Sequence, residues 1–291
     1  ILPFLEHQFG IYHVEGGLNK ISEAMAKVIE KNGGKIHLNS PVTKIITEKK
    51  KAKGIILKDG TEILSDDVII NADFSWAALN LFEKGELKKY TNESLAKKKY
   101  SCSTFMVYLA LDKTYTDLPH HSIVFSQNYK ENMDDIFKKF TLTEKDFSYY
   151  IRNSSINDNA VAPDGKSQLY CLIPVPNNKS NIDWKEKTEA VYEELLSSLE
   201  NRLGLTDIRE HIIEKKIVDP KDWEENYNVY NGAVFSMAHT MMQMLYFRPK
   251  NKFEEIDNCY IVGGGTHPGS GLPTIYESAR IATKLIEKNS K

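Results

Sequence analysis

Cysteine is scarce in this 291-residue sequence, and what there is forms no pattern. Cys102, Cys171 and Cys259 lie far apart, are odd in number and include no C-x-x-C pair. That spacing argues against a zinc site or a disulfide framework and suits thiols kept reduced in a cytoplasm. Long apolar runs are missing as well: no stretch approaches the roughly 18 residues of a membrane-spanning helix, and no signal-peptide pattern is visible. Neither sign of charge dominates, with 38 basic and 40 acidic residues and a net charge of −2, so no global field recruits nucleic acid. The lysine runs at Lys49–Lys51 and Lys97–Lys99 are local and read as solvated faces. There is no P-loop, no G-x-G-x-x-G, no H-E-x-x-H, no convincing Ser–His–Asp spacing and no residue set for a metal. An initiator Met is absent too, and "ILPFLEHQFG" reads as the end of something under way, which suggests the C-terminal portion of a longer chain.

What is present is a soluble, globular balance, 41% apolar and 27% charged, in a chain long enough for one large or two ordinary domains. From Leu18, Ile21, Met25, Val28 and Ile29 recur at helical spacing, and Asn32 to Gly34 supply a left-handed stop. Residues 35–40, 42–47, 53–64 and 67–73 read as strands, with Asp59-Gly60 as a hairpin turn. The continuous apolar centre of 67–73, introduced by Asp66-Asp67, is that expected of a strand covered on both faces. From residue 76 the pattern becomes β-rich and aromatic, with strands over 103–112, 121–127, 147–155 and 168–176 and a polar loop at His120-His121. One long helix follows, with Asp183 and Glu186 as a capping box, Val191, Leu195 and Leu199 as its stripe and Gly204 as its end. The last segment returns to strand, glycine turn and helix, from "NCYIVGG" to Ile286. The organisation is α/β over 1–75, a β-rich insertion over 76–254, and α/β again over 255–291, as in a discontinuous domain carrying an inserted one.

Two segments stand out chemically. Between Gly263 and Pro273 lie five glycines and two prolines, after a strand and before a helix. Such a turn lets a ligand lie against the main chain, with helix N–H groups offered to a phosphate or an electron-rich ring; equally, it can be a sharp structural turn. His267 within it is an acid, base or ligand candidate, or a hydrogen-bonding piece of the turn. The second segment, Gly232 to Pro249, holds four of the seven methionines among Phe235, Leu245, Tyr246 and Phe247. It suits the wall of an apolar channel as well as an ordinary core.

"GGGTHPGSGLP" resembles the C-terminal signature of the bacterial-type phytoene desaturase family, the FAD-dependent carotenoid desaturases. "FGIYHVEGGLNKISEAMAKVIEKNGGKIHLNSPVTKI" resembles the family's central segment, and "YFRPKN" and "YSCSTFMVYLALD" match it too. "VFSQNYKENMDDIF" is most similar to the branch acting on C30 substrates, the diapophytoene (dehydrosqualene) desaturases. "TIYESAR" departs from the smaller residues usual after the signature. The resemblance implies an α/β fold with a discontinuous Rossmann-like FAD-binding domain and an inserted α+β substrate domain. The first domain is incomplete here, because no strand–GxGxxG–helix unit is present. It implies desaturation of a long isoprenoid by hydride transfer to flavin, in a cytoplasmic protein held at the membrane surface, with this portion alone inactive. Related activities are isomerase, saturase and oxidase chemistry; amine-oxidase-like chemistry and non-catalytic binding of an apolar ligand are rivals. The implied FAD contacts are Val42 at the adenine, Gly264, Gly265 and Thr266 at the ribityl–phosphate portion, and His267, Pro268, Gly271, Leu272 and Pro273 leading to the ring. The implied substrate contacts are Phe235, Met237, Met241, Met242, Met244 and Phe247. No general base is assigned.

Overall fold

The computed structural model describes residues 2–289. Helix α1 (Leu2–Phe9) leads through a loop to α2 (Asn19–Lys31). The spacing of Ile21, Met25, Val28 and Ile29 gives α2 the apolar stripe read from the sequence, and the N–H of Gly33 closes onto Glu30 with φ +83°. None of the residues of α2 is buried.

Strands β1 (Val42–Glu48), β2 (Lys51–Leu57) and β3 (Glu62–Leu64) form an antiparallel sheet. Asp59 and Gly60 turn β2 into β3 as expected, the Asp59 carboxylate accepting from the Thr61 N–H at 2.9 Å. Lys49 and Lys50 are more than a solvated face: both take positive φ, 48° and 63°, and make the two-residue turn between β1 and β2. Residues 35–40, expected as a strand, are irregular, and Ile36 and Leu38 are exposed. Extended backbone becomes a strand only against a partner, and the described residues supply none.

Strand β4 (Val68–Ile70) pairs in parallel with β10 (Cys259–Ile261), Val68 opposite Cys259 and Ile70 opposite Ile261. The two ends of the chain thus share one sheet. Ile69 is 51% exposed, so the expectation of a strand covered on both faces fails on one face. Helix α3 (Phe74–Asn80) follows β4, capped by Asp73, whose carboxylate accepts from the Trp76 N–H at 2.9 Å.

After α4 (Asn92–Ala96), a five-stranded sheet is built from β5 (Ser103–Leu111), β6 (His121–Val124), β7 (Tyr149–Arg152), β8 (Ser167–Val175) and β9 (Ile212–Val218), in the order β6-β7-β8-β5-β9. His121 begins β6 rather than sitting in a loop. Helix α5 (Tyr129–Asp134) lies between β6 and β7. Every second residue of β5 and β8, among them Phe105, Val107, Leu169 and Cys171, is buried in one core with Val191, Leu195 and Leu199 of α6 (Trp184–Leu203). Gly204 ends α6 in the left-handed region, φ 72°. Its N-cap is Asp183, accepting from Lys185 N–H, but Glu186 does not complete the expected capping box. A reciprocal box forms instead between Asp219 and Asp222, at the start of α8 (Pro220–Glu225), after the short α7 (Ile208–His211) and β9.

A second core gathers Ile45, Val68, Ile70, Phe74, Tyr100, Met237, Phe253 and Ile261. Residues near Tyr100 and Ala233, inside the expected insertion, therefore pack on the α/β side. The chain closes with α9 (Leu272–Asn289), anchored by buried Ser278 and Ala282.

Candidate functional site

The apolar run of β10 stops at Gly263, which has φ +112°. A side-chain carbon there would come to 3.5 Å from Oδ1 of Asn71, the residue that follows β4. The glycine turn therefore stands where both parallel strands end at their carboxyl termini, the place at which open α/β sheets receive ligands. Beside it lies an apolar pocket of about 430 Å³, lined by Val42, Ile45, Ile55, Ile70, Asn71 and Trp76 among others. Asn71, which lines this pocket together with Val42, also stands against the turn at Gly263.

Inside, the turn is densely bonded. The Gly263 N–H donates to Ser278 Oγ at 2.9 Å, and Thr266 Oγ1 donates to the Gly263 carbonyl at 2.9 Å. Asn251 Nδ2 donates to Thr266 Oγ1 at 3.2 Å and to the His267 carbonyl at 2.9 Å. A carbon on Gly265 would stand 2.7 Å from Phe74 Cβ, so this glycine lets α3 pack against the turn. Thr266 is equally enclosed. The side-chain positions of Gly265 and Thr266 face the protein interior, so a ligand beside them would meet main chain. His267 donates from Nδ1 to the Leu245 carbonyl at 2.8 Å, which is the structural role, and Pro268 continues the same wall. Gly271 (φ +114°), Leu272 and Pro273 are exposed at the start of α9, where the first-turn N–H groups of an 18-residue helix carry partial positive charge.

The residue that organises the site, Arg248 of "YFRP", drew no functional reading of its own from the sequence. It is 2% exposed. Its guanidinium donates to the carbonyls of Gly264 (Nε 3.0 Å, Nη2 2.8 Å), Gln243 (3.1 Å), Met237 (3.0 Å) and Phe235 (3.3 Å). It thereby ties the methionine segment to the glycine turn. Burial depresses its pKa, and among the described residues no carboxylate forms an ion pair with it, so its positive charge faces the turn uncompensated. Asp73 caps α3 beside the turn, and desolvation raises its carboxyl above the usual range.

The methionine segment divides in two. Met237 belongs to the second core. Met241 (85% exposed), Met242, Phe235 and Phe247 lie on the surface, and Met244 is half-buried. In this chain they form an apolar face, not an enclosed channel. Between the two halves stands His239, whose Nε2 is 2.8 Å from Ser270 Oγ of the glycine turn. The thiols take no part: burial pushes those of Cys171 and Cys259 up to about 12. Among the described residues no group of side chains could hold a metal ion, and no helix is long and apolar enough to cross a membrane.

Comparison with known proteins adds to this geometry. The family model described as flavin containing amine oxidoreductase matches residues 2–286. A 4,4'-diapophytoene desaturase (4,4'-diapolycopene-forming) from Methylomonas sp. is 57% identical over 291 residues, covering 100% of this chain and 57% of the relative. An all-trans-zeta-carotene desaturase from Myxococcus xanthus is 39% identical over 292 residues, covering 100% of this chain and 55% of its own length. The chain thus spans a little over half the length of these relatives. Among solved structures, an oxidoreductase from Methanosarcina mazei superposes with a TM-score of 0.64 at 20% identity, over 96% of this chain and 57% of that one. Putrescine oxidase bound to putrescine gives 0.60 at 12% identity, over 94% and 54%. At such identities these two likenesses speak for the fold alone.

Proposed function

Because the chain belongs to the flavin containing amine oxidoreductases, whose cofactor is FAD, we propose that it is part of a desaturase acting on a long acyclic isoprenoid of the diapophytoene type. The observation that carries this reading is the meeting of the glycine turn and the Val42 pocket at the carboxyl ends of β4 and β10. The residues there fit a flavin dinucleotide: an apolar pocket, a turn whose open edge carries no side chain at Gly271, and a helix N-terminus beside a buried cation. The likeness to the two carotenoid desaturases supports the isoprenoid as substrate.

In this reading residues 1–75 and 255–291 hold FAD and residues 76–254 hold the substrate. Val42 lines the adenine end. The Gly264 backbone and the exposed start of α9 at Gly271, Leu272 and Pro273 lie along the rest, with Thr266, His267 and Pro268 shaping the turn from behind. When bound, FAD supplies a two-electron acceptor for the hydride that leaves the hydrocarbon. Arg248 and the N-terminus of α9 favour negative charge at that end of the site, which makes acceptance of the electron pair easier. Phe235, Met241, Met242, Met244 and Phe247 offer an apolar, adjustable wall for the chain, supported from the core by Met237. A hydrocarbon of this kind resides in a bilayer, and the exposed apolar residues from Met241 to Phe247 support peripheral association with a membrane, on its cytoplasmic side.

The test is product analysis with the full-length protein and an acyclic C30 isoprenoid. The account expects products two mass units lighter for each new double bond. Unchanged mass with altered geometry marks an isomerase, added hydrogen marks a saturase, and consumption of an amine alone contradicts the reading.

A further inference from the structure

Formation of a carbon–carbon double bond by removal of two hydrogens needs two destinations. One hydrogen leaves with its electron pair, and the other leaves the neighbouring carbon as a proton. The proposal above gives the hydride an acceptor and leaves the proton without one. We propose that His239 accepts that proton, an inference that rests on the desaturase reading.

Three observations place the imidazole. It stands on the chain between Phe235 and Met241, inside the segment read as the substrate wall, and its side chain is exposed. Its Nε2 lies 2.8 Å from Ser270 Oγ, which binds it to the glycine turn read as the flavin site. A side-chain carbon at Gly269 would come to 3.7 Å from Nε2 and to 3.9 Å from Arg248 Cδ, so the ring rests on the turn's backbone beside the guanidinium. His239 therefore joins the two sites that the reaction must bring together. His267, the other imidazole beside it, is committed to the Leu245 carbonyl, and the Asp73 carboxylate is committed to capping α3 at the Trp76 N–H.

The chemistry follows from the partners. With Nε2–H donated to Ser270 Oγ, the lone pair of Nδ1 is the basic one. Partial desolvation on its side against the turn, and after it the charge of Arg248, hold the pKa of this otherwise exposed ring below that of an ordinary histidine, which favours the neutral form. Arg248 is the charged group that faces it, and Ser270 the polar one. As the hydride leaves for the flavin, the adjacent C–H bond breaks. Its electron pair becomes the new π bond and its proton goes to Nδ1. A carbon next to an electron-deficient centre is strongly acidic, so a weak base suffices. The resulting imidazolium is repelled by Arg248 and returns the proton to solvent.

The experiment compares His239→Gln with Ser270→Ala in the full-length, FAD-loaded enzyme. It reads kcat across pH, FAD bound per protein, and C30 hydrocarbon retained after extraction. The expected result is a fall in kcat of about a hundredfold for His239→Gln, with bound FAD and hydrocarbon unchanged and the fall in rate at acid pH abolished. Ser270→Ala keeps the base and its acid limb, with a smaller loss. The inference is overturned by a His239→Gln enzyme whose kcat stays within about twofold of wild type. It is overturned equally if both variants shed FAD alike, which would make the ring a pin for the turn. A wild type that holds FAD and hydrocarbon yet forms no double bond removes the desaturase reading and this inference with it. A working wild type beside an unaffected variant removes the inference alone.

Discussion

The five-stranded sheet and the parallel pair β4–β10 come from one chain, yet a helix covers an apolar face of the first far more fully than anything covers the second. In the sheet, Phe105, Val107, Leu169 and Cys171 share one face, and α6 covers them. Around the parallel pair, Ile69, Ile63 and Leu64 stay exposed, α2 buries none of its residues, and a pocket of about 430 Å³ remains beside Val42. The contrast separates two kinds of apolar residue. Those on the α6-facing side of the sheet are used up in folding, whereas several on the α/β side are still available, and the glycine turn sits among them.

The strongest way to break this contrast is at Arg248. Although it lies on the open side, it is the most tightly held polar group there. Arg248→Ala strands four carbonyls and should cost about 3–5 kcal/mol in urea denaturation. Arg209→Ala, which breaks partly exposed pairs to Glu193 and Glu200, should cost about 1 kcal/mol or less. Equal losses would mean that Arg248 does not organise the site.

The methionine segment sharpens the comparison. Met237→Ala should lose about 2–5 kcal/mol, as should Leu195→Ala in the sheet core. Met241→Ala and Met242→Ala should each stay within about 0.5 kcal/mol, while changing which isoprenoid length the full-length enzyme accepts. A large stability loss at Met241 would return that residue to a core.

Within the glycine turn, Gly265→Ala drives a carbon into Phe74 and should destabilise by about 1–3 kcal/mol. Gly271→Ala meets only Thr274 Oγ1 at 3.4 Å. At φ +114° a side chain is strained whatever the space, so this variant also loses stability. It should add weaker FAD retention in the full-length enzyme, measured by flavin released on dialysis. If the two variants exchange these phenotypes, the assignment of the turn's inner and outer edges is wrong.

The smallest effects are electrostatic and opposite in sign. Asp158, hydrogen-bonded to His13 Nε2 at 2.7 Å, has its pKa held below the usual carboxylate range first by that contact. Its contribution to stability is present above the unfolded pKa of about 3.9 and is lost as pH falls through the lower folded value. Burial raises Asp73, so its contribution is present below about 3.9 and is lost as pH rises through the higher folded value. Asp73→Asn keeps an acceptor for the Trp76 N–H and should be neutral or stabilising at pH 7, whereas Asp73→Ala loses about 1 kcal/mol. Urea midpoints across acidic and neutral pH decide both signs.

Much of this was legible in the sequence where local chemistry decides. Gly204 ended its helix, Asp59-Gly60 turned its hairpin, and a β-rich, aromatic composition marked β5 and β8. Failures came where the answer depends on a partner distant in the chain. Residues 35–40 have a strand's composition without a neighbour, and Ile69 looks doubly buried although one face stays open. For the site, glycine density located the turn, but density cannot say which glycines face inward; Phe74, brought by α3, decides that for Gly265. The carbonyls gathered around Arg248 lie on separate segments, and the contact between His239 and Ser270 spans 31 residues. Neither has a local signature.

The central claim is tested most directly by mixing the full-length, FAD-loaded protein with an acyclic C30 isoprenoid under strict exclusion of oxygen. The account predicts loss of the oxidised flavin absorbance, with one new carbon–carbon double bond formed for each flavin reduced. Absorbance that persists with the isoprenoid but falls on addition of a primary amine would contradict it.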